Sequence, residues 1–165
     1  MLTRFRVFAG FVLGAIVWWL STPIWGSLAV GAAIAGIGEA IRLWAAGHLD
    51  KSREVTASGP YRWVAHPLYV GSSVMGVGLA IASWSASAAV LITAYLAVVL
   101  TAAARREEAF LRRTFGDRYE QYSRGVVDTT RRFSWARVAA NREYRALVGL
   151  LIVVALLALK AGRNV

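Results

Sequence analysis

The sequence predicts an all-α protein, a polytopic membrane helix bundle with about five transmembrane helices. Hydrophobic residues make up 58% of the 165 residues, which exceeds ordinary globular usage. These residues fall into long uncharged runs, and most basic residues lie in the segments that border the runs. This length leaves room for a single domain over residues 1–165.

Composition also excludes several classes of function. The excess of 19 Lys and Arg over 9 Asp and Glu could indicate nucleic-acid binding, but its placement beside apolar runs indicates membrane topology instead. The absence of cysteine excludes disulfides, thiolate metal ligands and a cysteine nucleophile. The two histidines are far apart in sequence and predict no metal site.

The first two predicted spans cover residues 7–20 and 24–47. Trp18 and Trp19 stand where a signal peptide would have small cleavage-site residues, so the first run is predicted to be retained. Pro23 favours the start of the second helix. Small residues along the second run predict close approach by another helix.

The third and fourth predicted spans cover residues 68–83 and 86–104 and are separated by a short break. Each run is long enough to cross most of a hydrocarbon core about 30 Å thick, so the chain returns to the side it left. His66 and Glu107 are therefore expected at the same membrane face. The fourth helix should continue through residues 105–114, with Phe115 and Gly116 ending it.

The C-terminal region is predicted to hold an interfacial segment, 126–142, and a short fifth span, 146–159. The interfacial segment is rich in arginine and suits anionic lipid. Lys160 and Arg163 could snorkel at the far side. The positive-inside rule places the N-terminus and residues 48–65 and 105–142 in the cytoplasm, as in a multi-pass cytoplasmic or inner membrane protein.

Two local patterns suggest chemistry. Pro67 fits the first turn of a helix, which places His66 at its cap, beside free backbone N-H groups that attract an anion. Glu107 and Glu108 point about 100° apart on a helix, so one is expected to face a ligand and the other an arginine. The alternatives are a simple helix cap and a solvated charged helix.

The segment 59–71, GPYRWVAHPLYVG, and the segment 105–122, RREEAFLRRTFGDRYEQY, together resemble the isoprenylcysteine carboxyl methyltransferase family and its relatives, the phospholipid N-methyltransferases. The resemblance covers residues 38–125 and is to bacterial-type members. Ala65 stands where that family commonly has an arginine before His-Pro.

This resemblance implies S-adenosyl-L-methionine as cofactor, bound by a cytoplasmic helical segment. The residues it indicates for cofactor binding are His66, Pro67, Tyr69, Gly71, Gly76, Gly78, Glu107 and Glu108. Glu108 and Tyr69 are candidate catalytic residues, because an amine acceptor would have to lose a proton. Gly76 and Gly78 have an alternative role in helix packing.

Glu39 and Arg42 lie three residues apart within the second span. Charges at membrane depth are costly unless they are paired or face a cavity, so a polar pocket and a salt bridge near the cytoplasmic end are both open. Arg42 is the third candidate catalytic residue, since it could receive the polar head of an acceptor.

The predicted function is methyl transfer from S-adenosylmethionine to a lipophilic acceptor, the carboxylate of an isoprenoid-like or other lipid. The expected partners are the bilayer and this small-molecule acceptor, with no nucleic acid. Three alternatives remain: N-methylation of a phospholipid amine, a non-catalytic membrane scaffold or sensor, and lipid reduction or isomerisation with a nicotinamide cofactor.

Overall fold

The computed structural model describes residues 2–50, 56–116 and 131–163. Within these ranges the chain forms six α-helices, one short 3-10 helix and no strand. The α-helices are α1 (Leu2–Leu20), α2 (Trp25–His48), α3 (Pro67–Ser83), α4 (Ala86–Phe115), α5 (Trp135–Ala140) and α6 (Tyr144–Ala161), and the 3-10 helix is Gly59–Arg62. The all-helical membrane bundle predicted from the sequence is confirmed.

The apolar helices agree with the predicted spans. Among the described residues, α2, α4 and α6 are each long and apolar enough to cross a membrane, while α1 and α3 supply shorter apolar segments. The final helix is longer than the predicted run of 146–159, because Tyr144 and Arg145 join its start and Lys160 and Ala161 join its end.

Glycines bring α2 and α3 into backbone contact. Gly31 and Gly38 on α2 face Gly71 and Gly78 on α3, and a Cβ atom at any of them would clash with the backbone of the other helix. At Gly71 that atom would lie 2.7 Å from the carbonyl oxygen of Gly38. Such small-residue contacts let membrane helices approach closely and attract each other through dispersion forces. The α2–α3 pair is therefore closely packed.

One end of the bundle holds the α1–α2 turn, the α3–α4 turn and the end of α6. The Thr22 amide donates to the carbonyl oxygen of Ser83 at 2.8 Å. Lys160 Nζ donates to the carbonyl oxygens of Trp18 and Trp19 at 2.6 and 2.8 Å. Because these carbonyls end α1, the ammonium group neutralises the negative pole of that helix and ties α6 to it.

At the other end, the segment that contains α5 covers the C-terminus of α2. Arg137 Nε donates to the carbonyl oxygen of Gly47 at 2.7 Å. Asn141 Nδ2 donates to the carbonyl oxygens of Ala46 and Leu49, both at 3.0 Å. These bonds satisfy acceptors that a helix leaves unpaired at its end, so the described part of the predicted interfacial segment is docked on α2.

Candidate active site

Helix α3 begins where the sequence predicts. Pro67 is its first residue and His66 is its N-cap. The His66 carbonyl oxygen accepts hydrogen bonds from the amides of Tyr69 and Val70 at 3.0 and 3.2 Å. The His66 side chain makes no capping bond, so its ring is available to groups outside the helix.

Helix α4 carries Glu107 to the same end of the bundle. At 1.5 Å per residue, α3 is about 26 Å long, and Glu107 lies about 32 Å along α4 from Ala86. The two helices run antiparallel across a short turn, and the two lengths agree to within about one helical turn, so Glu107 arrives beside the start of α3. The predicted meeting of His66 and Glu107 is confirmed.

His66, Tyr69 and Glu107 form a compact group, here named the HYE cluster. The Tyr69 hydroxyl donates to Glu107 Oε2 at 2.6 Å, and His66 Nδ1 lies 3.6 Å from the same oxygen. The His66 and Tyr69 rings stack with centroids 5.3 Å apart. The side chains of His66 and Glu107 are 20% and 37% exposed, so the cluster is sheltered but open to a ligand.

The neighbouring carboxylate points elsewhere. Glu108 Oε1 lies 3.9 Å from Arg112 Nη2, one turn further along α4, and its side chain is 46% exposed. The two glutamates therefore diverge, with Glu107 toward Tyr69 and Glu108 toward Arg112, and the expectation that one of them reaches the cofactor stays a prediction. Glu107 is the inward residue; the cofactor and proton-transfer roles of Glu108 stay predictions.

A second polar group lies between α2, α3 and the start of α6. Arg42 Nη2 binds Glu143 Oε2 at 2.6 Å, and Arg42 Nη1 donates to Ser72 Oγ and to the carbonyl oxygen of Leu68. Glu39 Oε2 lies 3.5 Å from Arg42 Nε. The salt bridge considered for Glu39 and Arg42 is therefore present, and Arg42 turns inward across α3 with its side chain only 18% exposed.

Glu143 and Ser72 did not emerge from the sequence as site residues. The available signal was weak: Glu143 is an acidic residue in an arginine-rich stretch directly before an apolar run. A contact with Arg42, 101 residues away, cannot be read from that pattern.

Comparison with known proteins identifies the family. The family model for phospholipid methyltransferases (PEMT) matches residues 5–118. The chain belongs to the phospholipid methyltransferase family. The match includes the whole HYE cluster and ends before the segment 131–163, so Glu143 lies outside it. No curated protein and no solved structure matches the chain.

Membership of this family supports a membrane methyltransferase. It supports the wider relationship drawn from the sequence. The narrower resemblance to isoprenylcysteine carboxyl methyltransferases of bacterial type stays a prediction.

The three glycines predicted to bind cofactor lie in helix contacts. Gly71 and Gly78 face α2, and a Cβ atom at Gly76 would clash with Leu96 of α4. Gly76 and Gly78 are about 15 to 18 Å along α3 from His66, so the structure does not bring them to the HYE cluster. Their part in cofactor binding stays a prediction.

Tyrosines also occur in both segments that carry the family resemblance. Tyr61 is buried in the 3-10 helix just before the HYE cluster, whereas Arg62 is exposed. Tyr119 and Tyr122, which belong to the family-like tyrosine pattern, lie outside the described residues.

Proposed function

We propose that this protein transfers a methyl group from S-adenosylmethionine to a lipophilic acceptor at the cytoplasmic membrane face. The observation that carries the proposal is the HYE cluster, in which the Glu107 carboxylate is held by Tyr69 beside the capping residue of α3. The methyltransferase family match supports it, because the cluster lies within the matched residues.

The residues fit the two charges of the cofactor's methionyl part. The start of α3, with His66 at its cap and Pro67 in its first turn, favours a carboxylate. The Glu107 carboxylate favours a positive group, either the ammonium or the sulfonium. When bound, S-adenosylmethionine would supply a methyl group on a sulfonium that is already a good leaving group.

The chain's own contribution is then placement and electrostatics. Tyr69 fixes the orientation of Glu107 through a short hydrogen bond, so the negative charge needs little reorganisation when a cation arrives. Partial burial of His66 and Glu107 limits competing water. Such preorganisation suits in-line transfer, which requires correct approach more than covalent help.

The first candidate acceptor is a lipid carboxylate, which can attack the methyl carbon without a general base. A phospholipid amine is the second candidate, and the Tyr69–Glu107 hydrogen bond favours it. In that case the amine gives its proton to the Tyr69 oxygen while the Tyr69 proton passes to Glu107 Oε2, 2.6 Å away. Glu108 remains a further proposed proton acceptor.

The acceptor is expected to enter sideways from the bilayer. Moving a lipid chain into water costs about 0.8 kcal/mol for each methylene exposed. A cytoplasmic site for the cofactor that meets a lateral opening near Arg42 avoids that cost. Arg42 is the residue proposed to receive the acceptor's polar head.

The test is methyl transfer by the purified protein in native membrane lipid extract, with S-adenosylmethionine labelled in its methyl group. Label in lipid that mild base releases as methanol identifies a carboxyl ester, whereas base-stable label identifies an N-methyl amine. Cofactor binding without transfer to any lipid would favour the scaffold alternative. Binding of a nicotinamide cofactor instead would favour the reductase or isomerase alternative.

A further inference from the structure

A glutamate from the segment beyond the family match contacts an arginine of the matched part of the chain. Glu143 lies directly before α6, and its side chain is 9% exposed. Its Oε2 atom binds Arg42 Nη2 at 2.6 Å. We propose that Glu143 is a positioning residue which, through Arg42, holds the first turn of α3 and hence His66 and Tyr69. The inference rests on the proposed function of that turn.

The path from Glu143 to the HYE cluster has one intermediate side chain. The Nη1 atom of Arg42 donates to Ser72 Oγ and, at 3.5 Å, to the carbonyl oxygen of Leu68. Ser72 Oγ in turn donates to the same Leu68 oxygen at 2.8 Å. One guanidinium therefore joins Glu143 to the turn of α3 that includes Tyr69.

The missing side chain of Gly71 makes this path possible. A Cβ atom there would lie 2.7 Å from Arg42 Cγ, so the arginine stem occupies the space that any other residue would fill. A guanidinium in a span needs partners, because an unpaired charge is costly at membrane depth. Glu39 supplies charge at 3.5 Å without a hydrogen bond to any described residue, and Glu143 supplies the short charge-assisted bond.

This positioning role differs in its consequences from direct binding of an acceptor by Arg42. If Glu143 acts through α3, its loss moves His66 and Tyr69 and weakens cofactor binding. If Arg42 instead serves the acceptor head alone, loss of Glu143 alters acceptor KM and leaves cofactor affinity unchanged.

The experiment compares Glu143→Ala and Glu143→Gln with Asp50→Asn in the full chain. Asp50 is the matched control, because its Oδ2 atom lies 3.4 Å from Arg131 Nη1 and so also ties the C-terminal segment to the end of α2, at a partly exposed site. Calorimetry gives the Kd for S-adenosylhomocysteine, and transfer assays give kcat and acceptor KM. The chain lacks cysteine, so spin labels at Val70→Cys and Ala109→Cys, both exposed, report the distance between α3 and α4.

We expect Glu143→Ala to weaken S-adenosylhomocysteine binding about tenfold, which corresponds to the loss of about one charge-assisted hydrogen bond to the cofactor. It should also broaden the spin-label distance distribution. Glu143→Gln keeps an oxygen for Arg42 and should recover most of the affinity, and Asp50→Asn should match the wild type. If Glu143→Ala does not fold, Glu143→Asp, which withdraws the carboxylate by one methylene, should show an intermediate loss.

Unchanged cofactor affinity in Glu143→Ala, or an equal loss in Asp50→Asn, would overturn the positioning role. A wild-type protein that binds no S-adenosylhomocysteine would refute the proposed function instead. The spin-label distances would still decide whether Glu143 fixes α3.

Discussion

Replacing Glu107 by glutamine removes one charge from the HYE cluster and leaves an oxygen for the Tyr69 hydroxyl. Charge-assisted hydrogen bonds in sheltered sites are worth about 1.5 to 3 kcal/mol. The Glu107 side chain is 37% exposed, so solvent screening reduces this contribution. We therefore expect a loss of about 1 to 2 kcal/mol, or about 5- to 30-fold, in the affinity for S-adenosylmethionine, which carries both the ammonium and the sulfonium charge.

Glu108→Gln is the matched control. Its charge pairs with Arg112 at 3.9 Å on an exposed helix surface, and such pairs contribute about 0 to 1 kcal/mol. Calorimetry on the wild type and both variants, in the same detergent, measures the difference. Equal small losses in the two variants would refute the assignment of Glu107 as the inward carboxylate and favour a solvated charged helix, whereas equal large losses would give Glu108 a cofactor role as well.

Three further predictions concern the scaffold. Gly71→Ala should lower the melting temperature, because its Cβ atom would meet Arg42 Cγ at 2.7 Å. Gly36→Ala is the control and should not lower it, because a Cβ atom there has nothing within 4 Å; equal shifts would contradict this packing. Lys160→Gln should lower the free energy of unfolding by about 1 kcal/mol, since it removes the cation that caps the Trp18 carbonyl. An unchanged denaturant midpoint of unfolding would argue against that cap. Reporter fusions after Ser85 should score outside the cytoplasm, and a cytoplasmic score would reverse the predicted topology.

The sequence predicts that His66 and Glu107 lie at the same end of the bundle because the determinants are local. Pro67 marks the start of α3, and the lengths of two consecutive helices decide that Glu107 returns to His66. Gly116 ends α4 at a positive φ of 42°, a conformation that glycine adopts easily. Each of these features follows from helix geometry and needs no knowledge of tertiary packing.

The Arg42 contacts could not be predicted in the same way. Spacing shows that Glu39 and Arg42 share a helix face, but it does not show which helix that face meets. Gly71 opens a path across α3, and Glu143 meets Arg42 only after α6 has packed on α2. A contact between distant segments depends on that packing, which hydrophobic periodicity does not specify.

We expect the cofactor to bind at the HYE cluster. Ultraviolet crosslinking of labelled S-adenosylmethionine to the purified protein, followed by peptide mapping, tests it most directly. Saturable label should appear in peptides that contain His66 and Tyr69 or Glu107. Excess S-adenosylhomocysteine should abolish this label, and a nicotinamide dinucleotide should not. Label confined to the opposite end of the bundle, around Trp84 and Lys160, or no saturable label, would contradict the claim.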